Sequence, residues 1–243
     1  MIAITPVEGL PEIRQGDDLG TLIAERAQLE SGDVVVVAQK VVSKAEGHVV
    51  SLDDVEASPH AREVAGEWCD PRESEVILRE AARIVRARNS LVIAETRHGF
   101  VCASAGVDHS NAPAEGTLVL LPVDPDASAR RIRETIREYT GKDVGVVVTD
   151  SFGRPFRRGT TDVAIGAAGI APLVDLRGRP DRAGALLRST QVAVADEIAG
   201  AANLVRTDKA EGLPVVVVRG LRHARGDGSA SELVMPPGRD LFR

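Results

Sequence analysis

The sequence predicts an α/β fold of mixed type, and three observations lead to this prediction. Short runs of valine, isoleucine and leucine recur along the 243-residue chain, with the length and composition of buried strands. Segments with apolar residues at helical spacing separate these runs, and Gly, Pro and Asp stand at many of the boundaries. Alternation of the two patterns is typical of α/β and mixed α+β proteins, although it leaves the strand order open.

The first part of the chain is predicted to form a helix and then a strand. Residues 17–18 are an acidic pair suited to capping a helix whose apolar side chains fall within 19–23. Residues 34–37 are four consecutive valines after a turn signal at 31–33. An uninterrupted apolar run of this length is typical of a strand that is buried on both faces.

A second helix and a hairpin are predicted next. Pro71 fits the first turn of the helix, because the N–H that proline lacks has no partner there. The apolar side chains at helical spacing after it are Val76, Ile77, Ile84 and Val85. Residues 91–94 and 100–103 then flank a short connection at 97–99, which indicates a β-hairpin.

The second half of the chain is predicted to contain a β-α-β unit. Its parts are a strand at 117–121, a helix at 125–138 and a strand at 144–148. Crossovers of this kind are almost always right-handed. A further helix is expected at 189–205 and a further buried strand at 214–218.

Composition and charge limit the class of protein. Hydrophobic residues make up 43% of the chain and aromatic residues only 2%, so the core must be largely aliphatic. The net charge of −6 comes with no basic face or aromatic platform that would indicate nucleic-acid binding. No apolar run approaches the roughly 20 residues that cross a bilayer, and the N-terminus lacks the pattern of a signal peptide. We therefore expect a cytoplasmic protein that binds neither nucleic acid nor membrane.

The cysteines and the glycines exclude some common sites. Cys69 and Cys102 form no zinc-binding pattern, and we expect two reduced, partly buried thiols. The chain contains neither the glycine-rich fingerprint of dinucleotide-binding folds nor the P-loop signature. A nucleotide site would therefore have to use a different cradle for the phosphates.

Residues 149–159, with the sequence Thr-Asp-Ser-Phe-Gly-Arg-Pro-Phe-Arg-Arg-Gly, are the most informative stretch. Asp150 and Ser151 come at the exit of a predicted strand and suit a magnesium or manganese ion, since such ions take oxygen ligands. The alternative is that Asp150 caps the following turn. Arginine binds phosphate and carboxylate groups in a bidentate fork, although an exposed charge run is the other interpretation. The arginines concerned are Arg154, Arg157 and Arg158.

A second acidic segment lies at 106–111, where a predicted strand ends. Asp108 is suited to serve as a second carboxylate on the same ion, and Asn111 is suited to hydrogen-bond a ligand. An Asx-turn at Asp108 is the structural alternative.

A third segment, at 39–47, follows the valine strand. If it is extended, alternation places Lys40 and Lys44 on the same side, from which lysines reach phosphate oxygens. A solvated strand edge is the alternative. The segments at 9–12 and 204–214 are a turn and an ordinary polar connection when each is considered alone.

Taken together and in order, these segments resemble the coenzyme F-420:L-glutamate ligase family. The motifs are Gly-Leu-Pro-Glu at 9–12, Gln-Lys-Val-Val-Ser-Lys-Ala-Glu-Gly at 39–47, Gly-Val-Asp-His-Ser-Asn at 106–111 and the block at 149–166. The similarity runs from about residue 5 to the C-terminus, whose last five residues also resemble family members.

The resemblance implies a fold and an assembly. Family members are two-domain mixed α/β units of a non-P-loop type that form intertwined homodimers, and this chain is similar to the stand-alone form. We expect one family unit over 1–243, with one subdomain from 1–75 and 175–243 and the other from 76–174.

The resemblance also implies a reaction. GTP phosphorylates the terminal carboxylate of the phospholactyl group of the coenzyme F-420 precursor, and the amine of L-glutamate attacks the acyl phosphate. An amide forms, GDP and phosphate leave, and some members add further γ-linked glutamates. The expected ions are two divalent cations, magnesium or manganese, together with potassium.

Matching the family motifs to this chain assigns roles to individual residues. The resemblance implies Asp108, Asp150 and Lys44 as catalytic residues. The implied nucleotide-binding residues are Gly9, Leu10, Pro11, Glu12, Gln39, Lys44 and Asn111. The implied metal ligands are Asp108, Asp150, Ser151 and Asp208. The arginines that we infer, from their chemistry, to bind anionic substrate groups are Arg154, Arg157 and Arg158.

One departure from the family pattern lies at residues 206–208. Relatives usually carry Met-Gly and a polar residue where this chain has Arg206, Thr207 and Asp208. The resemblance implies that this loop contacts the nucleotide and the second metal ion. Two alternative functions stay open: a binding module for a deazaflavin or a nucleotide without turnover, and a metal-dependent phosphohydrolase. The second ranks lower because no obvious general base for a water is found.

Overall fold

The structure is a computed structural model that describes residues 1–89, 91–206, 212–222 and 225–241. Helices and strands are mixed along the chain, so the predicted α/β class is confirmed. The α-helices are α1 (Leu19–Arg26), α2 (Gln39–Glu46), α3 (Pro59–Ala65), α4 (Pro71–Glu80), α5 (Pro125–Thr140) and α6 (Val194–Asn203). The strands are β1 (Ala3–Pro6), β2 (Val34–Ala38), β3 (Val49–Ser51), β4 (Ala81–Arg88), β5 (Leu91–Thr96), β6 (Val101–Ala103), β7 (Thr117–Val119), β8 (Gly145–Arg154), β9 (Arg157–Ala168), β10 (Val174–Asp175), β11 (Gln191–Val192) and β12 (Val215–Arg219).

Five strands form the central sheet in the order β1-β12-β2-β8-β9. Strands β2 and β8 run parallel, with Ala38 beside Thr149, and every other neighbouring pair in this sheet is antiparallel. Strand β2 therefore ends beside the middle of β8, and β8 continues past it. The edge at which β2 ends is where most of the candidate site residues gather.

Both faces of the central sheet are covered, which explains the continuous valine runs. Val35 and Val37 of β2 face a core that includes Ile23 of α1 and residues of α5. Val34 and Val36 face the opposite core, which includes Ile198 of α6. Because successive side chains of a strand point to opposite faces, a strand between two cores must be apolar at every position.

A third, smaller core lies among the remaining sheets. Strands β4, β5 and β6 form one antiparallel sheet, and β3 pairs with β7. Val76 and Ile77 of α4 pack against Val92 of β5 and Leu118 of β7 in this core. The sheets β4-β5-β6 and β3-β7 therefore share an apolar centre that is distinct from the two cores of the central sheet.

The β8–β9 hairpin extends the strand predicted at 144–148, so Asp150 and Ser151 lie within a strand and not at its exit. Strand β8 runs on through Asp150 and Ser151 to Arg154, which pairs with Arg157 at the tip. The first half of β8 is buried, whereas most of the second half is exposed. Val148 pairs with Gly166 and Thr149 with Ala164, so β9 carries one extra residue, a β-bulge, between those pairs.

Four other predictions of local structure were wrong. The helix that begins at Pro71 ends at Glu80, and Ile84 and Val85 lie in β4. Residues 39–46 are helical rather than extended. The predicted β-α-β unit is absent from the described residues, because β7 pairs with β3 and the parallel neighbour of β8 is β2. Helix α6 begins at Val194, after the short strand β11, rather than at 189.

The remaining predicted elements are confirmed. Asp18 caps α1 by accepting the N–H of Thr21, and the strands at 34–37 and 214–218 and the helix at 125–138 are present. The hairpin at 91–103 is formed by β5 and β6. Cys69 is partly buried and Cys102 buried, and neither is in a disulfide. No helix in the described part of the chain has the length and apolarity to cross a membrane.

Candidate active site

A cavity of about 670 Å³ lies at the edge where β2 ends, between the start of α2, the middle of the β8–β9 hairpin and the segment before β12. It brings together many of the residues that the sequence predicts as functional. Those that line it are Leu10, Pro11, Glu12, Gln39, Lys44, Asn111, Asp150 and Ser151. Residues from four distant parts of the sequence therefore meet in one space.

The other predicted site residues that the structure describes are not in the cavity lining. Asp108 is ion-paired with Lys40, and Lys40 lines the cavity. The Gly9 carbonyl accepts a hydrogen bond from Arg26 Nε at 2.9 Å. Asp208 lies outside the described residues. The three arginines proposed for anionic groups are exposed at the hairpin tip and away from the lining: Arg154, Arg157 and Arg158.

Helix α2 supplies two lysines and a glutamine to the cavity. Lys40 and Lys44 are four residues apart and so share a helix face, which replaces the strand alternation expected from the sequence. Lys44 Nζ lies 2.6 Å from Glu12 Oε1. In the described part of the chain no side chain caps the N-terminus of α2, which begins at the end of β2. The first N–H groups of a helix carry partial positive charge and favour anions.

Gln39, the first residue of α2, has an unsatisfied amide. Its Oε1 accepts a hydrogen bond from Ser43 Oγ at 3.0 Å, while its Nε2 is buried and has no hydrogen-bond partner among the described residues. A buried donor without a partner carries a free-energy cost, and a bound ligand oxygen would remove that cost. Gln39 is therefore a suitable donor to an oxygen-rich ligand.

Asp108 is held by an ion pair and an Asx-turn. Lys40 Nζ lies 2.7 Å from Asp108 Oδ2, and the Ser110 N–H donates to Oδ1 at 2.7 Å. Burial alone would raise the pKa of Asp108, but the hydrogen bonds from Lys40 and Ser110 outweigh it, and the pKa lies below its usual value. The Asx-turn alternative is thus present, together with a charge partner that faces the cavity.

Asp150 is the carboxyl group of the site whose ionised form is disfavoured by burial. Burial raises the pKa of its carboxyl to about 7, and the carboxylates of Asp108 and Asp162 push in the same direction. The Ser151 N–H and Lys40 act against this shift without cancelling it. A cation placed beside Asp150 would favour its ionised form.

Asp162 and Arg206 are the site residues that the sequence analysis did not assign to this network. They form an ion pair, with Arg206 Nη2 at 2.7 Å from Asp162 Oδ2, and each side chain is only 7% exposed. Ser151 Oγ donates to Asp162 Oδ1 at 2.6 Å. Asp162 lies opposite Ser151 in the hairpin register, and that pairing is a signal that only the strand order and register reveal.

The residues of the site fit a divalent cation in part. Among the described residues, three carboxylates, those of Asp108, Asp150 and Asp162, lie near two paired cations, Lys40 and Arg206. Within the described residues, however, no group of three or more His, Cys, Asp or Glu side chains is arranged to hold a metal ion. A cation here would need further oxygens from a ligand or water, as magnesium commonly does.

Fold and site together define an α/β protein with a polar cavity suited to an anionic ligand and a cation. The sequence model of the F-420-0:gamma-glutamyl ligase family matches residues 9–220. The chain therefore belongs to that family, which confirms the resemblance seen in the sequence motifs.

Named relatives match along their whole length. The coenzyme F-420:L-glutamate ligase of Methanopyrus kandleri is 50% identical, with 100% of this chain and 98% of the relative aligned. The protein of the same name from Methanothermobacter thermautotrophicus is 43% identical, over 100% and 99% of the two chains. That of Archaeoglobus fulgidus is 43% identical, over 100% and 96%.

Proposed function

We propose that the protein is a ligase that joins L-glutamate to the terminal carboxylate of the coenzyme F-420 precursor, with GTP as phosphoryl donor. Relatives with the name coenzyme F-420:L-glutamate ligase, 43–50% identical over the whole chain, support the glutamate and F-420 parts of this proposal. The observation that carries it is the cavity, which unites residues 10–12 and α2 with Asp150 and Ser151.

The proposed reaction has two steps. In the first, a carboxylate oxygen of the precursor bonds to the γ-phosphorus of GTP, the bond between that phosphorus and the β–γ bridging oxygen breaks, and GDP leaves. In the second, the amine of glutamate attacks the acyl carbon, phosphate departs, and the amine loses a proton. Activation is needed because a free carboxylate is a poor electrophile. Phosphoryl transfer depends mainly on positioning and on neutralising charge.

The cavity has the groups that the first step requires. Lys44 and the uncapped N-terminus of α2 suit the phosphates, and Gln39 Nε2 is available to donate to an oxygen. Lys44 is 8% exposed, so its charge acts in a largely dry environment where electrostatic attraction is strong. Glu12 gives Lys44 a partner when no phosphate is bound.

Metal ions are part of the proposal. Asp108 and Asp150 would hold one magnesium or manganese ion, which would neutralise phosphate charge during transfer, and Ser151 would help to hold a second. The raised pKa of Asp150 and the nearby carboxylates support a cation at this place. A second divalent ion at Asp208 and a potassium ion remain predictions, as do the intertwined homodimer and the subdomain boundaries.

The hairpin tip is proposed to contact anionic parts of the substrate outside the cavity. Arg154, Arg157 and Arg158 are exposed there, and their fork-shaped side chains suit phosphate and carboxylate groups. The negative charges of the precursor's phosphodiester and of an added glutamyl tail would be appropriate partners.

Mass spectrometry of a single assay tests the proposal. The mixture contains the purified protein, the F-420 precursor, L-glutamate, GTP and manganese. A product heavier by one glutamyl residue, with GDP formed only when both other substrates are present, is expected. Ligand binding without product would favour the binding module, and phosphate release that does not need glutamate would favour the phosphohydrolase.

A further inference from the structure

The network around Asp162 joins four parts of the site. Asp162 Oδ1 accepts the hydroxyl proton of Ser151 at 2.6 Å, and Oδ2 accepts Arg206 Nη2 at 2.7 Å and Thr149 Oγ1 at 3.4 Å. Arg206 also donates to Thr149 Oγ1 at 2.9 Å and to the Pro214 carbonyl at 3.2 Å. Both strands of the hairpin, the end of α6 and the segment before β12 are thereby fixed to one carboxylate.

The direction of the Ser151 hydroxyl follows from this geometry. A hydroxyl has one proton and two acceptor lone pairs, and a carboxylate can only accept. Because the Ser151 proton is donated to Asp162, Ser151 Oγ acts toward other groups only as an acceptor, and no residue in the described part of the chain is shown donating to it. Ser151 lines the cavity beside Asp150, so its oxygen is pre-set as an acceptor or a cation ligand.

Arg206 neutralises the charge of Asp162 and fixes the orientation of its carboxylate. Both oxygens of Asp162 are engaged, and its charge is matched by the buried guanidinium. A buried ion pair of this kind adds little net stability compared with an apolar pair, so stability alone is a poor reason for its presence. The pair does hold Asp162 in one orientation, in which its Oδ1 accepts the Ser151 proton.

We propose that Asp162 is a positioning residue that presents the Ser151 oxygen to a divalent cation, and that Arg206 keeps Asp162 out of the cation's ligand set. This rests on the proposed function only in requiring a cation beside Asp150. It also explains why a carboxylate that lines the cavity is paired with a buried guanidinium.

A matched pair of double variants isolates the hydrogen bond from the charge. Asp162→Asn with Arg206→Met removes both charges and keeps an oxygen that accepts from Ser151. Asp162→Ala with Arg206→Met removes both charges and the acceptor as well. Neither variant leaves a buried charge unpaired, which is the main cause of misfolding in such substitutions. Each is made with Ser151 and again with Ser151→Ala, and circular dichroism checks the fold.

The readout is the affinity for Mn²⁺, alone and with GDP, from the electron paramagnetic resonance signal of the free ion. With Ser151 present, the Asn variant should bind Mn²⁺ about 10-fold more tightly than the Ala variant, the usual size of effect for a residue behind a metal ligand. With Ser151→Ala, the two variants should bind equally.

Three results would overturn the proposal. They are equal affinities in the Ser151 background, a difference that survives Ser151→Ala, and an absence of Mn²⁺ binding by the wild-type protein. A parallel assay of product formation by the wild type separates a test of the ligase function from a test of the positioning role of Asp162. Missing product with the expected Mn²⁺ pattern would reject the ligase and leave the positioning role intact.

If one double variant does not fold, the same comparison is made between Asp162→Asn and Asp162→Ala with Arg206 retained.

Discussion

Lys44 and Glu12 form an ion pair of 2.6 Å in which one partner is buried and the other is not. The Lys44 side chain is 8% exposed, whereas that of Glu12 is 67% exposed. The carboxylate can therefore move into solvent at low cost, while the ammonium group stays in the cavity wall. An incoming phosphate would replace Glu12 as the partner of Lys44, so the pair keeps the lysine ordered between rounds of binding.

The first prediction concerns this lysine. Lys44→Met keeps the length and apolar volume of the stem and removes the charge, so GTP should bind with about 1.5–3 kcal/mol less free energy, the value of a hydrogen bond to a charged group. Isothermal titration calorimetry measures the affinity. Lys142→Met, at an exposed position outside the cavity, is the control and should bind GTP as the wild type does. Equal affinity in both variants would remove Lys44 from the phosphate site.

The second prediction is that Asp150→Asn abolishes glutamyl transfer and Mn²⁺ binding while the fold is kept. The carboxylate oxygens of Asp150 are central to the proposed cation site, and the amide is nearly the same size and uncharged. Product mass and Mn²⁺ affinity are the measurements, with circular dichroism as the check on folding. Undiminished turnover by a folded variant would place the cation elsewhere.

The third prediction follows from the pKa of Asp150. Its value in the folded protein, about 7, lies above the ordinary 3.8, so the fold resists ionisation. The contribution of Asp150 to stability therefore declines as the pH rises from about 4 to about 7 and stays low above that range. Asp150→Asn cannot ionise, so its gain in melting temperature over the wild type should be larger at about pH 8 than at about pH 5. A gain that is the same at both pH values would contradict the assignment.

The fourth prediction separates the two thiols. Burial, together with the negative charge of Asp150, raises the pKa of Cys102 to about 12. Almost no Cys102 thiolate exists near neutral pH, and the thiolate is the form that reacts. A chromogenic disulfide reagent should thus titrate only Cys69 in the native protein and both cysteines after unfolding. Cys69→Ser should show almost no reaction until it is unfolded, and prompt reaction of that variant would contradict the buried position.

The fifth prediction tests the packing of α5 on β9. A Cβ atom added at Gly166 would lie 2.3 Å from the carbonyl oxygen of Pro125, the first residue of α5. Gly166→Ala should therefore lower the free energy of unfolding by about 1–3 kcal/mol, the usual cost of overpacking. Gly153→Ala in the same hairpin has open space around it and serves as the control. Denaturant unfolding of both variants gives the comparison.

Much of the fold was predictable because its core uses one simple pattern. The valines of β2 and β12 could only form strands buried on both faces, and Asp18 and Pro71 are ordinary helix-start signals. The strand order was not predictable, because β2 and β8 are neighbours through contacts between residues more than 100 positions apart. Local pattern contains no information on such pairing.

The errors have identifiable physical origins. The segment of α2 contains adjacent β-branched valines, which suggested a strand, but most of its other residues are good helix formers and the segment is helical. Ile84 and Val85 continue the helical spacing of α4, yet pairing of β4 with β5 takes precedence. In the site, Asp150, Ser151, Gln39 and Lys44 were predicted from their motifs. The partnership of Asp162 with Ser151 and Arg206 was not, because it depends on hairpin register and on burial.

The bulge in the β8–β9 hairpin has a consequence for how members of this family can differ in length. Ser151 faces Asp162 across the hairpin, and a shift of one residue would send one of them to the opposite face. Insertions or deletions between the bulge and these two residues should therefore be eliminated by selection. The tip of the hairpin, between Arg154 and Arg157, lies outside the part of the register that pairs Ser151 with Asp162, and it can lengthen without shifting that pair. Variation in length should be confined to the hairpin tip. There it would change how far the tip extends toward a substrate, while Ser151 and Asp162 keep their positions.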